Sequence, residues 1–281
     1  MQHFSNPEYD IDDPEFVSAC DGLPLWSAPF GLMLLDAVRY RPGLAVLDIG
    51  CGTGFPLLEL AGRLGDTCRL FGIDPWRAAV ERTTHKIKML KLQNVRIQEG
   101  KAEDLPFENG RFDLIVANNG LNNVDDQDRM LAECFRVARP GCQLVLTVNL
   151  DGTMIEFYRV FERTLVEAGR PRAVERMKEH IRTHRQPAAV TSGRIVGAGF
   201  AELGIEERSF TLRFTDGTAL LNHPFIKLAF LEAWKAVVAE DGPADIFRRL
   251  ETNLNTAAGS AGGLSMTVPM ACFCCWKRQT A

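Results

Sequence analysis

The stretch most capable of chemistry is "VLDIGCGTGF", residues 46–55, where Asp48 precedes Gly50, Gly52 and Gly54 at alternate positions. Glycines in such a turn let a ligand approach the backbone, because a Cβ would hold it off and tight turns of this kind use φ > 0. Followed by a helix, the turn aims amide N–H groups and the helix dipole at an anionic or carboxylate-bearing group. The dinucleotide pattern G-x-G-x-x-G would need its third glycine at 55, and that position is Phe55. Asp74 closes "FGID" about twenty residues beyond the glycines, where an acid can accept hydrogen bonds from ribose hydroxyls.

Other reactive side chains form weaker patterns. "ACFCCWKR" carries Cys272, Cys274 and Cys275, with 272 and 274 on one face of a strand. No C-x-x-C pair accompanies them, so they are expected to pack as small apolar side chains, and all eight cysteines as free thiols. His180 and His184 stand at i, i+4, but the acid precedes the first histidine, so the H-E-x-x-H order is absent and a solvated helix face is expected. No metal centre is predicted. The arginines and lysines from Arg163 to Arg185 alternate with glutamates, which reads as a salt-bridged surface helix.

The elements that would position these residues can be read from hydrophobic period. Near-continuous apolar runs at "LAVLDIG", "CRLFGID", "NVRIQEG", "FDLIVAN" and "CQLVLTVN" alternate with helical patterns between residues 44 and 150. That predicts an α/β fold: a doubly wound, mostly parallel seven-stranded sheet, Rossmann-like, with helices on both faces. Its last strand is expected at 265–276, with a turn into it at "GSAGG", 259–263. The organisation expected is an N-terminal helical cap over 1–40, a cofactor-binding core over 41–150, a helical insert over 151–190, core again over 191–214, a second helical insert over 215–262 and the last core strand over 263–281. A net charge of -4 gives no basic field for a nucleic-acid backbone. No uncharged apolar stretch reaches the length of a membrane span, and the start is neither basic nor apolar, so a cytoplasmic protein without nucleic-acid or membrane partners is expected.

The order Asp48, Gly50, Gly52, Gly54 resembles motif I of the class I S-adenosylmethionine-dependent methyltransferases. "GKAEDLPF", 100–107, resembles that family's third-strand segment, with Lys101 where an Asp is often found. "RFDLIVANNGLNNV", 111–124, resembles the fourth strand with its active-site loop, and "VARPGCQLVLT", 137–147, the approach to the fifth, with Cys142 in place of a glycine. The resemblance covers roughly residues 44–150 and implies an antiparallel last strand. It implies an enzyme that binds S-adenosylmethionine, and releases S-adenosylhomocysteine, through Asp48, Gly50, Cys51, Gly52, Gly54, Asp74, Pro75, Ala102, Glu103, Asn118 and Asn119.

Methyl transfer from a sulfonium is an in-line displacement that needs alignment more than acid–base chemistry, which suits a chain without a visible triad or metal set. Asn119 and His223 are the candidate catalytic residues; of the two, only His223, in "NHPF", could act as a base. The proline-rich [D/N]-P-P-[Y/F] signature of amide and base nitrogen methylation is missing from "ANNGLNN". A small-molecule acceptor is therefore expected, with Tyr9, Trp26, Phe30, Phe157, Phe161 and Phe225 as candidate substrate or lid residues. The competing readings are a protein that holds the cofactor without turnover and, less favoured, a protein or nucleic-acid methyltransferase.

Overall fold

The computed structural model describes residues 10–23 and 25–279, so Tyr9 lies outside the described residues. In chain order, α1 (Pro14–Asp21) and α2 (Ser27–Ala37) lead to β1 (Ala45–Ile49), α3 (Leu57–Leu64), β2 (Arg69–Asp74), α4 (Arg77–Met89) and β3 (Val95–Glu99). Next come β4 (Phe112–Asn118), α5 (Gln127–Val137) and β5 (Ala138–Asn149), then α6 (Ile155–Glu167), α7 (Pro171–His184) and α8 (Ala188–Gly197). The chain closes with β6 (Ala201–Phe214), α9 (Gly217–Asn222), α10 (Pro224–Ile226), α11 (Glu232–Val237), α12 (Pro243–Ala261) and β7 (Leu264–Trp276). Two compact units share these elements: a larger one over 10–149, 187–208 and 270–279, and a smaller one over 150–186 and 209–269.

The seven strands form one sheet in the order β3-β2-β1-β4-β5-β7-β6. β1 to β5 pair in parallel, while β7 runs antiparallel to β5 in a register from Gln143 opposite Trp276 to Asn149 opposite Met270. The apolar runs become strands because both faces are covered: Val46, Leu47, Ile115, Val116 and Leu144 are all buried. Strand order reverses between β1 and β4, and in such sheets ligands bind outside the carboxyl ends at that point. There β1 ends in the glycine turn, β2 in Asp74, and β4 in Asn118 and Asn119.

Local signals set the helix ends of the larger unit. Asp13 caps α1 by accepting from the Glu15 amide at 2.9 Å, with Pro14 in the first turn. Asp126 caps α5 through the Arg129 amide at 2.9 Å. α2 contributes Phe30, Met33, Leu34 and Leu35 to the core.

In the smaller unit α6 buries Phe157, Phe161 and Leu165, four residues apart, as an apolar stripe. Gly169, at φ 68°, releases the chain from α6, and Pro171 starts α7. α9 lies close to α12 because Gly217 carries no side chain; a Cβ there would sit 2.4 Å from the Leu254 Cβ. The expected turn at 259–263 is corrected to Gly262 and Gly263 alone, at φ 72° and 130°. Gly259 and Ser260 stay helical, with the Ser260 hydroxyl bonded back to the Thr256 carbonyl, so α12 ends only where a left-handed glycine stops it.

Candidate cofactor site at the glycine turn

Gly50, Gly52 and Gly54 take φ of 72°, 49° and 104°, the left-handed region where other residues are strained. Two of the three have distinct uses. A Cβ on Gly52 would meet nothing within 4 Å, so its backbone faces open space. A Cβ on Gly54 would lie 2.9 Å from Leu58 and 3.1 Å from Thr83, so the bare backbone lets α3 and α4 close on the turn.

Asp74 holds this turn in shape. Its Oδ2 accepts from the Gly52 amide at 2.7 Å and its Oδ1 from the Trp76 amide at 2.8 Å, joining β1, β2 and the entry to α4, where Pro75 intervenes. Hydrogen bonds to a charged acceptor are worth roughly 1.5–3 kcal/mol each. Burial raises the Asp74 carboxyl above the usual carboxylate range, and these two amides counter part of that rise. Each carboxylate oxygen keeps a lone pair for a ligand hydroxyl.

Asp48 presents a different case. It is 0% exposed, and neither carboxylate oxygen has a hydrogen-bond partner. Burial, and then the Asp74 charge, push its carboxyl well up, while the Leu57 amide, close by but short of a hydrogen bond, offsets a part. Cys51, buried beside both acids, is likewise held as a thiol, first by burial and then by their charges. A buried acid without a partner is costly to keep as a carboxylate.

α4 supplies residues that sequence reasoning did not single out. The Thr83 hydroxyl donates to the Gly52 carbonyl at 2.9 Å, and Lys86 Nζ donates to the Thr53 carbonyl at 2.7 Å. Lys86 is also paired with Asp21 at 2.9 Å, so its charge is already matched. The signal for Thr83 was a polar residue in the run "AAVERTTHKIK", on the helix face that buries Ala79.

The segment after β3 is fixed by its neighbours. Ala102 is buried, and Glu103 Oε1 accepts from the Asp125 amide at 3.0 Å, so that carboxylate orders the loop before α5. Glu133 and Arg136 of α5, also unforeseen, hold the same segment: Glu133 Oε2 accepts from the Leu105 amide, and Arg136 donates to the carbonyls of Leu105 and Phe107.

The four asparagines of "ANNGLNN" tie β4 to β5. Asn118 Oδ1 accepts from the Thr147 hydroxyl at 3.0 Å and its Nδ2 donates to the Ser27 carbonyl at 3.2 Å. Asn119, at φ 60°, donates its amide to Thr147, while its Oδ1 accepts from the Asn149 amide at 3.2 Å. Asn122 brackets the Asn149 peptide from both sides, at 3.1 and 3.2 Å, and Asn123 Nδ2 donates to the Asn119 carbonyl. The Asn119 carbonyl oxygen is thus engaged in scaffolding.

The remaining candidates take separate places. Trp26 and Phe30 pack against each other in the larger unit, with ring centroids 5.7 Å apart and Phe30 fully buried. Phe157 and Phe161 are core of the smaller unit: Phe157 stacks on Trp234 at 3.8 Å, and Phe161 meets Phe247 at 6.0 Å. Phe225 lies 5.8 Å from Phe230. His223, in that same unit, has a buried Nδ1 without a hydrogen-bond partner, and burial lowers its pKa. Among the described residues no group of histidines, cysteines and acids could hold a metal ion.

Residues 46–141 match the family described as "Methyltransferase domain". A demethylmenaquinone methyltransferase of Bacillus mycoides is 33% identical over 117 residues, 42% of this chain and 49% of the relative. The chain spans about half the length of the curated relatives it matches. Among solved structures, the YcgJ protein from Bacillus subtilis superposes with a TM-score of 0.59 at 18% identity, over 89% of this chain and 98% of that one. The [4+2]-cyclase SpnF does so with a TM-score of 0.55 at 20% identity, over 89% and 80%. These two likenesses show the fold.

Proposed function

We propose that this chain, which carries a class I S-adenosylmethionine-dependent methyltransferase domain, binds S-adenosylmethionine at the Gly50–Gly54 turn and passes its methyl group to a small-molecule acceptor, leaving S-adenosylhomocysteine. The observation that carries the choice of cofactor is the pair of acids at the turn, one of them, Asp48, wholly buried and unpartnered. A zwitterionic sulfonium brings positive charge to that pair. A dinucleotide would bring a pyrophosphate to the Asp74 carboxylate and the buried Asp48, with Lys86, which bonds the turn at Thr53, already paired to Asp21.

In this reading the turn amides face the amino-acid end of the cofactor with the buried Asp48 behind them, and Asp74 accepts from the ribose hydroxyls while it keeps the Gly52 amide. The buried Ala102 backbone faces the adenine edge, and Asn118 and Asn119 fix the loop beside the reacting carbon. When bound, the cofactor supplies a methyl group already activated for in-line displacement, so the chain contributes position. The Bacillus mycoides relative is named for a small-molecule acceptor, which supports the same acceptor class here.

A second reading, a cofactor-binding sensor or partner subunit without methyl turnover, stays open because the fold does not fix the reaction: a neighbour of the same fold is titled a cyclase. Incubation with S-adenosylmethionine and a panel of hydroxylated aromatics, quinols and small amines, read as S-adenosylhomocysteine formed, separates the two. Product above the acceptor-free rate with at least one acceptor supports transfer; tight cofactor binding with no product from any of them contradicts it.

A further inference from the structure

The smaller unit holds a second set of unmatched polar atoms. Arg185, just past the end of α7, is 6% exposed, and its Nε is buried without a hydrogen-bond partner. Among the described residues no carboxylate pairs with it. Its guanidinium lies instead against two rings, 5.7 Å from the centroid of Tyr158 and 5.5 Å from that of Phe230. Two further atoms nearby in sequence share the condition: Nε2 of His180 and Oε1 of Gln186 are buried and unpartnered.

The wall beside Arg185 and His180 is aromatic. Trp234 is fully buried, donates its indole N–H to the Tyr158 hydroxyl at 3.0 Å and stacks on Phe157. With its lone pair so used, the Tyr158 hydroxyl keeps its own proton to give. His180 sits 6.4 Å, ring to ring, from Tyr158. Burial, and then the Arg185 and His184 charges, lower its pKa to about 4, so it is a neutral imidazole at pH 7.

A buried guanidinium without an anion is among the costliest arrangements a core can keep, and ring faces supply only a fraction of what a carboxylate would. Arginine presents a planar fork that matches a carboxylate in two parallel hydrogen bonds. Tyrosine and neutral histidine add donors, and the Gln186 carbonyl adds an acceptor for a ligand hydroxyl. We propose that Arg185, with Tyr158, His180, Gln186, Phe230 and Trp234, forms a binding site in the smaller unit for a small hydroxylated aromatic carboxylate. The carboxylate pairs with Arg185, the ring lies along the aromatic wall, and a hydroxyl reaches Gln186. The binding claim stands apart from methyl transfer.

Calorimetric titration of the full chain with salicylate, 3-hydroxybenzoate and 4-hydroxybenzoate, against the corresponding uncharged amides, tests the site. At least one acid is expected to bind ten-fold or more tighter than its amide, and Arg185→Met to abolish that difference. Arg185→Lys, which keeps the charge but not the fork, should fall between. The ligand-free melting temperature of Arg185→Met should hold or rise, since an unpaired buried cation is removed; a purely structural Arg185 would make it fall. S-adenosylmethionine should bind Arg185→Met as it binds the wild type, which keeps failure here separate from failure of the cofactor assignment. Equal binding of acids and amides, unchanged acid binding by Arg185→Met, or no binding of any acid at millimolar concentration overturns the proposal. If Arg185→Met does not fold, the acid–amide comparison on the wild type and Arg185→Lys decide alone.

Discussion

At the scale of single residues, Asp48 and Asp74 divide the work of one site by their surroundings. Asp74 is anchored by two amides and stabilises the turn, whereas Asp48 is sealed in with no partner. An acid whose folded pKa is raised keeps its proton when the unfolded chain loses it. Its penalty is therefore absent below the unfolded pKa, about 3.9, and grows as pH rises above it toward the folded value. Asp48→Asn, a neutral isostere, should raise the ligand-free melting temperature at pH 7, and the gain should vanish as pH falls through about 4. A lower melting temperature at pH 7 would mean that Asp48 is charged and paired in the folded protein. Asp48, Asp74 and the glycines were legible in the sequence because their spacing is itself the signal. Thr83 and Lys86 were not, because a hydroxyl or an ammonium on a helix declares its partner only once the helix is docked.

Among the elements, α4 is the one that clamps the cofactor turn. Thr83→Val removes the hydroxyl that holds the Gly52 carbonyl and keeps the volume; it should cost about 1 kcal/mol of stability and weaken S-adenosylmethionine several-fold in calorimetry. Unchanged affinity would show that the turn needs no support from α4. β7 answers the question its cysteines raised. Cys272 and Cys274 lie along α2, near the carbonyls of Met33 and Ala37, while Cys275 lies on the Leu144 side. Burial pushes the thiol of Cys272 up to about 12 and that of Cys275 higher still, so neither is a thiolate at neutral pH. Of the eight cysteines, only Cys20 and Cys274 keep intermediate exposure. A thiol reagent at pH 7.5 should therefore label at most these two quickly, and all eight in guanidinium. Fast labelling of Cys272 or Cys275 in the native protein would contradict the packing role.

For the whole molecule, periodicity served well where burial was uniform. The parallel strands β1, β2, β4 and β5 were expected because a strand covered on both faces is largely apolar, whereas β3, an edge strand with only Val95 buried, followed from its place in the alternation. The end of α12 was placed too early, since "GSAGG" reads as a turn although three of its five residues continue the helix. The aromatic residues show the limit more sharply. Phe157 and Phe161 were candidates for a lid, yet they sit fully buried in the smaller unit's core, and composition does not distinguish a core phenylalanine from a ligand-facing one. Arg185 escaped notice for the same reason: in sequence it is one more charge in a basic, salt-bridged helix, and only the fold shows it without an acid. Among the described residues no helix is long and apolar enough to cross a membrane.

The central claim is that the glycine turn and its two acids hold S-adenosylmethionine. Titration of the purified full chain with S-adenosylmethionine and, separately, NADH by calorimetry tests it, with Gly52→Arg and Asp74→Ala as controls. Gly52→Arg fills the open face of the turn, and Asp74→Ala leaves the Gly52 and Trp76 amides without their acceptor. The account predicts that only the sulfonium compound binds, and that each variant weakens it at least a hundred-fold while remaining folded by circular dichroism. Binding of NADH, or full affinity for S-adenosylmethionine in folded Gly52→Arg, would contradict it.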